Sequence, residues 1–315
     1  DAIKSQALSG NGTYSKKCTK WFLENLGCKL AVPTPSCTAA LEMGLMLIGI
    51  EPGDEVILPS FTFTSTATAI VLHGGVPVFI DSREDTLNIN EDLIEAAITP
   101  KTKAIMPVHY NGVSCNMERI MTIAEAYNLV VLEDAAQCIW AFDSNRPLGS
   151  QGHMSAFSFH ETKNITCGEG GMLCINYEHF VERAEVVRDK GTNRQQFFRG
   201  IVDKYSWQDK GGAYFMSELQ AAYLSVQLEA VEMVTNNRRS TWSFYHEALE
   251  DLEKLSYLYR PIVPDKALHN AHLYHILLPN ADKRGALQHA LSEQGVYAAP
   301  HYVPLHSAPG GLKFG

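Results

Sequence analysis

The sequence reads Lys103-Ala-Ile-Met-Pro-Val108 and then Leu129-Val-Val-Leu132, two short apolar runs separated by a segment with a helical pattern, Met117 to Asn128. Strands that are apolar throughout need a sheet covered on both faces, and a helix between two of them is typical of a parallel β-α-β unit. Similar runs occur upstream in Glu55-Val-Ile-Leu58 and Val76-Pro-Val-Phe-Ile80. The pattern predicts an α/β domain with a large, mostly parallel sheet.

The alternation of strands and helices fades after Gly191. Residues 217–239 read as a long helical stretch, in which five apolar residues are spaced for one buried face: Leu219, Ala222, Tyr223, Val226 and Leu228. An amphipathic helix is also expected at 90–98. We predict a large cofactor-binding domain of residues 1–239, although the extreme N-terminus can belong to the smaller domain.

The pattern of residues 240–315 predicts a small α+β domain, which we expect to be incomplete. Helices are expected around 242–252 and 284–294, and strands at 273–278 and 296–299. The chain begins without a methionine and stops in a Gly/Pro-rich segment, so we expect one or both natural ends to be missing.

Composition limits the class of protein. The 315 residues are 45% hydrophobic with a formal net charge of -9, and acidic and basic residues are interspersed. This composition excludes a disordered chain and disfavours a protein that binds nucleic acid or membranes electrostatically. The seven cysteines form no Cys-x-x-Cys pair, and neither a signal peptide nor an apolar stretch of about 18 residues is visible. We expect a cytoplasmic protein with reduced thiols and no metal site.

A carboxylate ends one of the predicted strands. The segment from Leu129 to Gln137 leads into Asp134, which should place this side chain at the carboxyl end of the sheet. Open α/β sheets bind their ligands at that edge. A helix N-cap is the competing interpretation of the same aspartate.

A lysine follows another predicted strand. Ser155-Ala-Phe-Ser158 runs into a polar turn that ends at Lys163, and Gly168-Glu-Gly-Gly171 follows it. Single lysines are usually solvated surface groups. The glycines, however, allow tight backbone turns beside a ligand and hold this turn between two strands.

Two further segments bring polar and aromatic groups to the same domain. Thr34-Pro-Ser-Cys37-Thr38 opens a helical run, and the free N–H groups at a helix start can bind a phosphate. Pro59-Ser-Phe61-Thr-Phe63 carries aromatic rings that can stack on a planar ligand. Helix capping and core packing, the latter for at least one phenylalanine, are the alternatives.

These segments together offer what pyridoxal phosphate requires. The cofactor needs a lysine for its Schiff base, a carboxylate for its pyridine nitrogen, a stacking aromatic ring, and hydroxyl and backbone donors for its phosphate. No Gly-x-Gly-x-x-Gly lies between a strand and a helix, which argues against a nucleotide-binding dehydrogenase.

Several motifs resemble those of the DegT/DnrJ/EryC1/StrS family of sugar aminotransferases, and the resemblance covers nearly the whole chain. They are Thr-Pro-Ser-Cys-Thr-Ala-Ala-Leu (34–41), Pro-Gly-Asp-Glu-Val-Ile (52–57), Pro-Ser-Phe-Thr-Phe (59–63), Glu-Asp-Ala-Ala-Gln (133–137), Phe-Ser-Phe-His-Glu-Thr-Lys-Asn (157–164) and Gly-Glu-Gly-Gly (168–171). Segments 108–112, 189–194, 203–207, 216–223 and 301–306 are similar to the dTDP-4-amino-4,6-dideoxygalactose transaminases of enterobacterial common antigen and lipopolysaccharide synthesis. The resemblance implies fold type I, that of aspartate aminotransferase.

The resemblance implies a role for each matching residue. Lys163 would be the Schiff-base lysine and the acid/base of the 1,3-proton shift, and Asp134 the partner of the pyridine nitrogen. Gln137 would contact the phenolic oxygen and Phe63 would stack on the ring. The phosphate would be held by Cys37, Thr38 and Ser158.

The resemblance also implies the substrates. Glutamate would be the amino donor, a dTDP-4-keto-6-deoxyhexose the acceptor, and pyridoxamine phosphate the cofactor form between the two half-reactions. Sugar contacts are expected from His160, His301 and Tyr302, for which a plain structural role is the alternative.

A homodimer with active sites at the subunit interface is implied as well. Many relatives carry an asparagine that reaches across the dimer to the cofactor phosphate. Here the matching stretch is Gly211-Gly-Ala213-Tyr-Phe215, so that contact is not carried over.

Two other functions are compatible with this fold. A sugar dehydratase of the family would carry a histidine at the position of Lys163, which argues against that activity. A regulatory protein would bind the cofactor or a sugar without transferring an amine from glutamate.

Overall fold

The computed structural model describes residues 2–4 and 6–315. Its strands are β1 (Leu30–Thr34), β2 (Glu55–Pro59), β3 (Val76–Ile80), β4 (Thr102–Ile105), β5 (Val130–Asp134), β6 (Phe142–Asp143), β7 (Arg146–Pro147), β8 (Met154–Ser158), β9 (Gly171–Ile175) and β10 (Ala267–Leu268). A seven-stranded sheet has the order β1-β9-β8-β5-β4-β2-β3, and a small sheet has the order β10-β6-β7.

The large sheet is mostly parallel. Strands β8, β5, β4, β2 and β3 pair in parallel, whereas β9 lies antiparallel to both β1 and β8. The α/β prediction is therefore confirmed, and the carboxyl ends of β5 and β8 meet at one edge.

The helices are α1 (Thr13–Leu26), α2 (Cys37–Ile48), α3 (Thr64–Leu72), α4 (Met117–Tyr127), α5 (Val181–Arg188), α6 (Arg194–Phe198), α7 (Glu218–Glu229), α8 (Val231–Ala248), α9 (Glu250–Lys254), α10 (Ala281–Glu293) and α11 (Pro309–Phe314). Helix α4 confirms the helix expected between β4 and β5. Asn116 caps its start by accepting the Arg119 N–H, and Asn128 ends it in the left-handed conformation at φ 54°. Within the described residues, no helix is both long and apolar enough to cross a bilayer.

Apolar helices cover both faces of the large sheet. Leu41 of α2 packs in one core with Leu132 of β5, and Ile120 of α4 packs in another with Val131 of the same strand. All four side chains are almost completely buried. Burying each such side chain contributes about 1.5–3 kcal/mol, which is why these strands are apolar on both faces.

Helix α1 is held by a carboxylate from α7. Glu218 is 2% exposed and accepts hydrogen bonds from the backbone N–H groups of Gly12, Tyr14 and Ser15 and from the Ser15 hydroxyl. These N–H groups lie at the start of α1, where a helix has no internal acceptors for them.

The predicted buried face of α7 is wrong. Leu219, Tyr223 and Val226 are 46%, 57% and 62% exposed. Of the predicted residues, Leu228 is buried, and the rest of the buried side is formed by Glu218, Ala221, Leu224 and Ser225. Both faces of this helix are apolar, so periodicity alone did not identify the one that packs on the core.

Other local predictions also need correction. Residues 90–98 form two single 3₁₀ turns, Glu91–Leu93 and Glu95–Ala97, in place of an amphipathic helix. Residues 273–278 and 296–299 contain no strand, apart from an isolated bridge between Tyr259 and Leu277. Short apolar runs without a paired neighbour do not form strands, because nothing satisfies their backbone groups.

The predicted domain boundary lies inside a helix. Helix α8 spans Val231–Ala248 and continues through the junction of residues 239 and 240 without interruption. The helices expected around 242–252 and 284–294 correspond to the end of α8 with α9, and to α10. The division into two domains stays a prediction, and a continuous helix would connect them.

Candidate active site

A cavity of about 480 Å³ lies at the edge of the sheet where β5 and β8 end. The structure places every predicted site residue on its wall: Cys37, Thr38, Phe63, Asp134, Gln137, Ser158, His160, Lys163, His301 and Tyr302. The volume is within the usual range for small-molecule sites, roughly 300–1,000 Å³. These residues come from segments more than 250 positions apart in the sequence.

Asp134 is the last residue of β5 and is 5% exposed. Its Oδ2 accepts the Thr66 hydroxyl at 2.8 Å, and its Oδ1 accepts the Ala136 N–H at 3.1 Å. Burial raises the pKa of this carboxyl, while the Thr66 hydrogen bond and the charge of Lys163 act in the opposite direction. A cation placed against Asp134 would therefore favour the ionised carboxylate.

Lys163 stands in the turn that follows β8. Its N–H donates to the His160 carbonyl at 2.9 Å, and its half-buried side chain lines the cavity. The amine forms no salt bridge within the described part of the chain, although its charge lowers the pKa of Asp134. Both side chains line the same cavity, whose volume of about 480 Å³ is large enough for a planar ring.

The start of α2 offers free backbone donors. Ser36 caps the helix by accepting the Ala39 N–H at 3.1 Å. The N–H groups of Cys37 and Thr38 have no acceptor among residues 2–4 and 6–315, so they can bind an anion. A Cβ at Gly171 would collide with the Ser36 and Cys37 backbone, so a glycine is needed where β9 meets this helix start.

Hydroxyl groups surround this helix start. Thr38 donates to the Ser65 Oγ at 2.8 Å, and Ser65 and Ser158 line the same cavity. Burial raises the pKa of the Cys37 thiol well above its ordinary value, so this side chain stays uncharged beside an anion. The hydroxyl groups around the start of α2, together with its free N–H groups, can hold a phosphate through uncharged donors.

Gln137 presents a donor to the cavity. Its Oε1 accepts the Asn111 N–H at 2.6 Å, which fixes the orientation of the amide. Its Nε2 then points to the Tyr302 hydroxyl at 3.4 Å and can donate to a negatively charged oxygen. This geometry suits a contact with a phenolic oxygen.

The two phenylalanines of the segment after β2 differ in environment. Phe61 packs edge-on against Tyr110 at 5.3 Å and lies 5.4 Å from Tyr302 between ring centroids. Phe63 is 59% exposed and lines the cavity. Phe61 therefore packs as a structural residue, and Phe63 keeps a free face for a ligand ring.

The C-terminal segment closes one side of the cavity. Leu305 donates its N–H to the Ser60 carbonyl at 2.8 Å, and the Ser60 hydroxyl lies 2.6 Å from His306 Nδ1. His301 and Tyr302 stack on each other with ring centroids 4.4 Å apart. The anchor at Ser60 brings this aromatic pair to the site.

His160 lies at the cavity mouth. Its Nδ1 is 2.9 Å from the Thr162 hydroxyl, and its Nε2 is 3.5 Å from Glu169 Oε1. Both the histidine and the glutamate are substantially exposed, so they can be reached by a ligand that enters from solvent.

Sequence analysis did not identify some cavity residues. Ser65 follows closely after the aromatic segment at 59–63, and its neighbour Thr66, behind the wall, reaches Asp134 only in the folded chain. Tyr110 lies in a segment that resembled the family but was given no role, and His272 carried no local signal, because their contacts join distant parts of the chain.

The groups on the wall fit pyridoxal phosphate. An amine, a carboxylate, a side-chain amide and an exposed aromatic ring line one cavity, and N–H groups without an acceptor among the described residues lie at a helix start. Among the described residues, no cluster of three His, Cys, Asp or Glu side chains is arranged to hold a metal ion.

Comparisons with known proteins agree with this assignment. A sequence model of the DegT/DnrJ/EryC1/StrS aminotransferase family matches residues 1–310. The chain is 37% identical over 318 residues to the spore coat polysaccharide biosynthesis protein SpsC of Bacillus subtilis, covering 98% of this chain and 80% of that protein.

Solved structures show the same likeness. A DegT DnrJ EryC1 StrS aminotransferase from Brucella abortus matches with a TM-score of 0.90 at 30% identity, covering 99% of this chain and 82% of that one. The PMP form of Spr1654 from Streptococcus pneumoniae matches with a TM-score of 0.90 at 25% identity, covering 100% of this chain and 83% of that one.

Proposed function

Because the chain belongs to the DegT/DnrJ/EryC1/StrS aminotransferase family, we propose that it moves the amino group of glutamate to a nucleotide-linked 4-keto-6-deoxyhexose. The enzyme is a pyridoxal-phosphate-dependent aminotransferase of fold type I, as are its structural neighbours. The observation that carries the proposal is that Lys163 and the buried Asp134 line one cavity, close enough for the lysine charge to lower the pKa of the carboxyl.

The cofactor supplies, when bound, a carbonyl that condenses with amines and a ring that withdraws electrons from the adjacent carbon. Lys163 would hold the cofactor covalently, and its amine would accept and return the proton that the reaction moves. Asp134 would keep the ring nitrogen protonated, and its buried position would strengthen that ion pair because water is excluded. The two residues therefore perform complementary proton tasks.

The other cofactor contacts position the ring. We assign the phosphate to the free N–H groups of Cys37 and Thr38 and to the Ser158 hydroxyl, because all three border the start of α2. Gln137 would donate its Nε2–H to the phenolic oxygen, and Phe63 would stack on the ring. These contacts would hold the reacting carbon near Lys163.

We propose that the acceptor is dTDP-4-keto-6-deoxyglucose and that the product is a dTDP-4-amino-4,6-dideoxyhexose, the galactose form above all. The aromatic pair His301 and Tyr302, together with His160 at the mouth, offers hydrogen bonds and a flat surface to a sugar. SpsC is described as a polysaccharide biosynthesis protein, which supports a role in surface polysaccharide synthesis such as that of enterobacterial common antigen.

We also propose that the enzyme works as a homodimer with active sites at the interface. The exposed apolar residues of α7, Leu219, Tyr223 and Val226, form a face that burial against a second copy would stabilise. All seven cysteines are free thiols, which supports a location in the reducing cytoplasm.

The test is an assay of amine transfer. The enzyme is incubated with glutamate and a panel of dTDP- and UDP-linked keto-sugars, and any amino sugar is identified by mass spectrometry and NMR. Lys163→Ala is the control. Amination of dTDP-4-keto-6-deoxyglucose supports the full proposal, whereas amination of another keto-sugar would retain the reaction and replace the substrate.

The same assay separates the other activities of this fold. Loss of a hydroxyl without transfer of nitrogen would identify a dehydratase. Binding of the sugar with no consumption of glutamate would identify a regulatory protein.

A further inference from the structure

His272 lines the cavity and belongs to none of the motifs that identified the site. Its Nδ1 lies 2.9 Å from Asn164 Oδ1, and Asn164 is the residue that follows Lys163. The imidazole is therefore tied to the same turn that carries the reactive amine.

The hydrogen bonds fix the position of the imidazole proton. Asn164 Nδ2 lies 2.9 Å from the Asn270 backbone carbonyl, which can only accept, so this atom is the amide nitrogen. Asn164 Oδ1 is then the atom that faces His272 and must accept from Nδ1–H. In a neutral ring the proton on Nδ1 leaves Nε2 as an acceptor.

The segment that carries His272 is held at several points. Asn270 donates from Nδ2 to the carbonyls of Gln137 and Ile139, each at 2.8 Å. Leu273 donates its N–H to Asn111 Oδ1 at 2.9 Å, and Arg238 binds the Ala271 carbonyl at 3.0 Å. The ring is thus oriented before any ligand arrives.

Burial lowers the pKa of His272 well below its ordinary value, and the charge of Lys163 lowers it further. The ring remains neutral at physiological pH, and its Nε2 stays an acceptor rather than a charged donor.

We propose that His272 is a specificity-determining residue whose Nε2 accepts a hydrogen bond from the sugar hydroxyl next to the carbonyl that receives the amine. The proposal rests on the keto-sugar function argued above. Because His272 is hydrogen-bonded to the residue adjacent to Lys163 and lines the same cavity, a sugar carbon that reaches Lys163 would lie close to this ring. His301 is another imidazole on the cavity wall. Its Nδ1 lies 3.2 Å from the Tyr110 hydroxyl.

The first test reads the tautomer directly. A ¹⁵N-histidine-labelled sample without sugar is studied by long-range ¹H–¹⁵N NMR, and the signal absent from His272→Gln is assigned to this ring. We expect a neutral ring protonated on Nδ1, and a loss of that preference in Asn164→Ala. A ring protonated on Nε2 would overturn the proposal.

The second test uses two variants of His272, each of which places an amide group near the position of one of the two ring nitrogens. In His272→Asn, the side-chain amide occupies about the position of Nδ1 and keeps the tie to Asn164, but no acceptor reaches the cavity. In His272→Gln, the amide oxygen can reach about the position of Nε2. Affinity is measured by calorimetry for the dTDP-4-amino-4,6-dideoxyhexose product and for its analogue without the hydroxyl next to the amine.

We expect His272→Asn to bind the hydroxylated product roughly tenfold or more weakly than the wild type does. It should bind the deoxy analogue as tightly as the wild type does. His272→Gln should recover part of the affinity for the hydroxylated product. Melting temperature and pyridoxal phosphate affinity should stay unchanged in His272→Asn.

Equal losses for both ligands, or no loss for either, would overturn the hydroxyl contact while leaving the aminotransferase function intact. Failure of the wild type to bind any nucleotide-linked amino sugar would instead overturn the proposed substrate class, and the hydroxyl contact with it.

Discussion

The Thr66 hydroxyl donates a 2.8 Å hydrogen bond to Oδ2 of Asp134, although the two residues lie 68 positions apart in the sequence. Asp134 is buried, and burial raises the pKa of its carboxyl, whereas the bond from Thr66 lowers it. The hydroxyl therefore helps to keep the carboxylate ionised.

Replacing Thr66 should change the pH dependence of cofactor binding. As the pH falls through the pKa of Asp134, the carboxylate gains a proton and loses its attraction for the ring nitrogen. Thr66→Val removes a group that lowers this pKa, so pyridoxal phosphate affinity should fall at a higher pH than in the wild type. The loss at neutral pH should be about 1 kcal/mol, or roughly fivefold in dissociation constant. Fluorescence titration over a range of pH measures it.

Thr66→Ser is the matched control, because it keeps the hydroxyl and removes only a methyl group. It should retain the wild-type pH profile. Identical profiles for the valine and serine variants would show that the hydroxyl does not act on Asp134.

Lys163→Ala should abolish turnover, because among residues 2–4 and 6–315 no other lysine lines the cavity to hold the cofactor covalently or to carry the proton. In the wild type, borohydride reduction followed by peptide mass spectrometry should find the cofactor on Lys163. Lys163→Arg keeps the positive charge without the nucleophile and should be equally inactive. Retained activity in either variant, or a cofactor found on a different lysine, contradicts the assignment.

Gly171→Ala should weaken the phosphate site. The added Cβ would meet the backbone of Ser36 and Cys37, and the start of α2 would have to move. We expect a loss of about 1–3 kcal/mol in the free energy of unfolding, with a lower affinity for pyridoxal phosphate. Denaturant unfolding and cofactor titration measure the two effects.

Gly285→Ala in α10 provides the comparison, because a Cβ there meets nothing within 4 Å. It should be neutral or slightly stabilising. Similar behaviour of the two alanine variants would show that the close contact of Gly171 in β9 with the backbone of Ser36 and Cys37 is not required.

Glu218→Ala should destabilise the protein by roughly 2–4 kcal/mol, because the N–H groups at the start of α1 and the Ser15 hydroxyl would lose a buried acceptor. Thermal and denaturant unfolding report the loss. Glu218→Gln keeps the shape and one acceptor oxygen, so its loss should be smaller. An alanine variant as stable as the wild type would show that water replaces the carboxylate.

Charge on the exposed face of α7 should prevent dimer formation. Val226→Lys places an ammonium group among apolar side chains that we propose are covered by a second copy. Analytical ultracentrifugation should show a monomer with reduced activity. Leu255→Lys, at a position 64% exposed outside this face, should leave the oligomeric state unchanged. A wild-type monomer, or a Val226→Lys dimer, would refute this interface.

The strand ends were the most predictable part of the site. Asp134 ends β5 and Lys163 stands in the turn after β8, and parallel strands place their carboxyl ends at one edge, so local patterns indicated that the two residues lie near each other. The glycines at 168–171 likewise indicated that the Lys163 turn lies between two strands, which are β8 and β9. Family resemblance then supplied His301 and Tyr302, which no local pattern could connect to β5.

What the sequence did not reveal depends on tertiary contacts. Helix α7 carries apolar residues on two sides, and only the position of α1 determines that Leu224 is buried while Tyr223 is exposed. The link from Thr66 to Asp134 and that from Asn164 to His272 join distant segments, so no spacing rule could indicate either.

The attachment of the C-terminal segment at Ser60 has a consequence for substrate entry. Leu305 and His306 are hydrogen-bonded to Ser60 within the chain itself. His301 and Tyr302 are therefore already in position at the cavity wall, and no closing movement is needed for them to contact a sugar. Little conformational entropy should be lost on that side when substrate binds, and more of the contact energy becomes available for affinity.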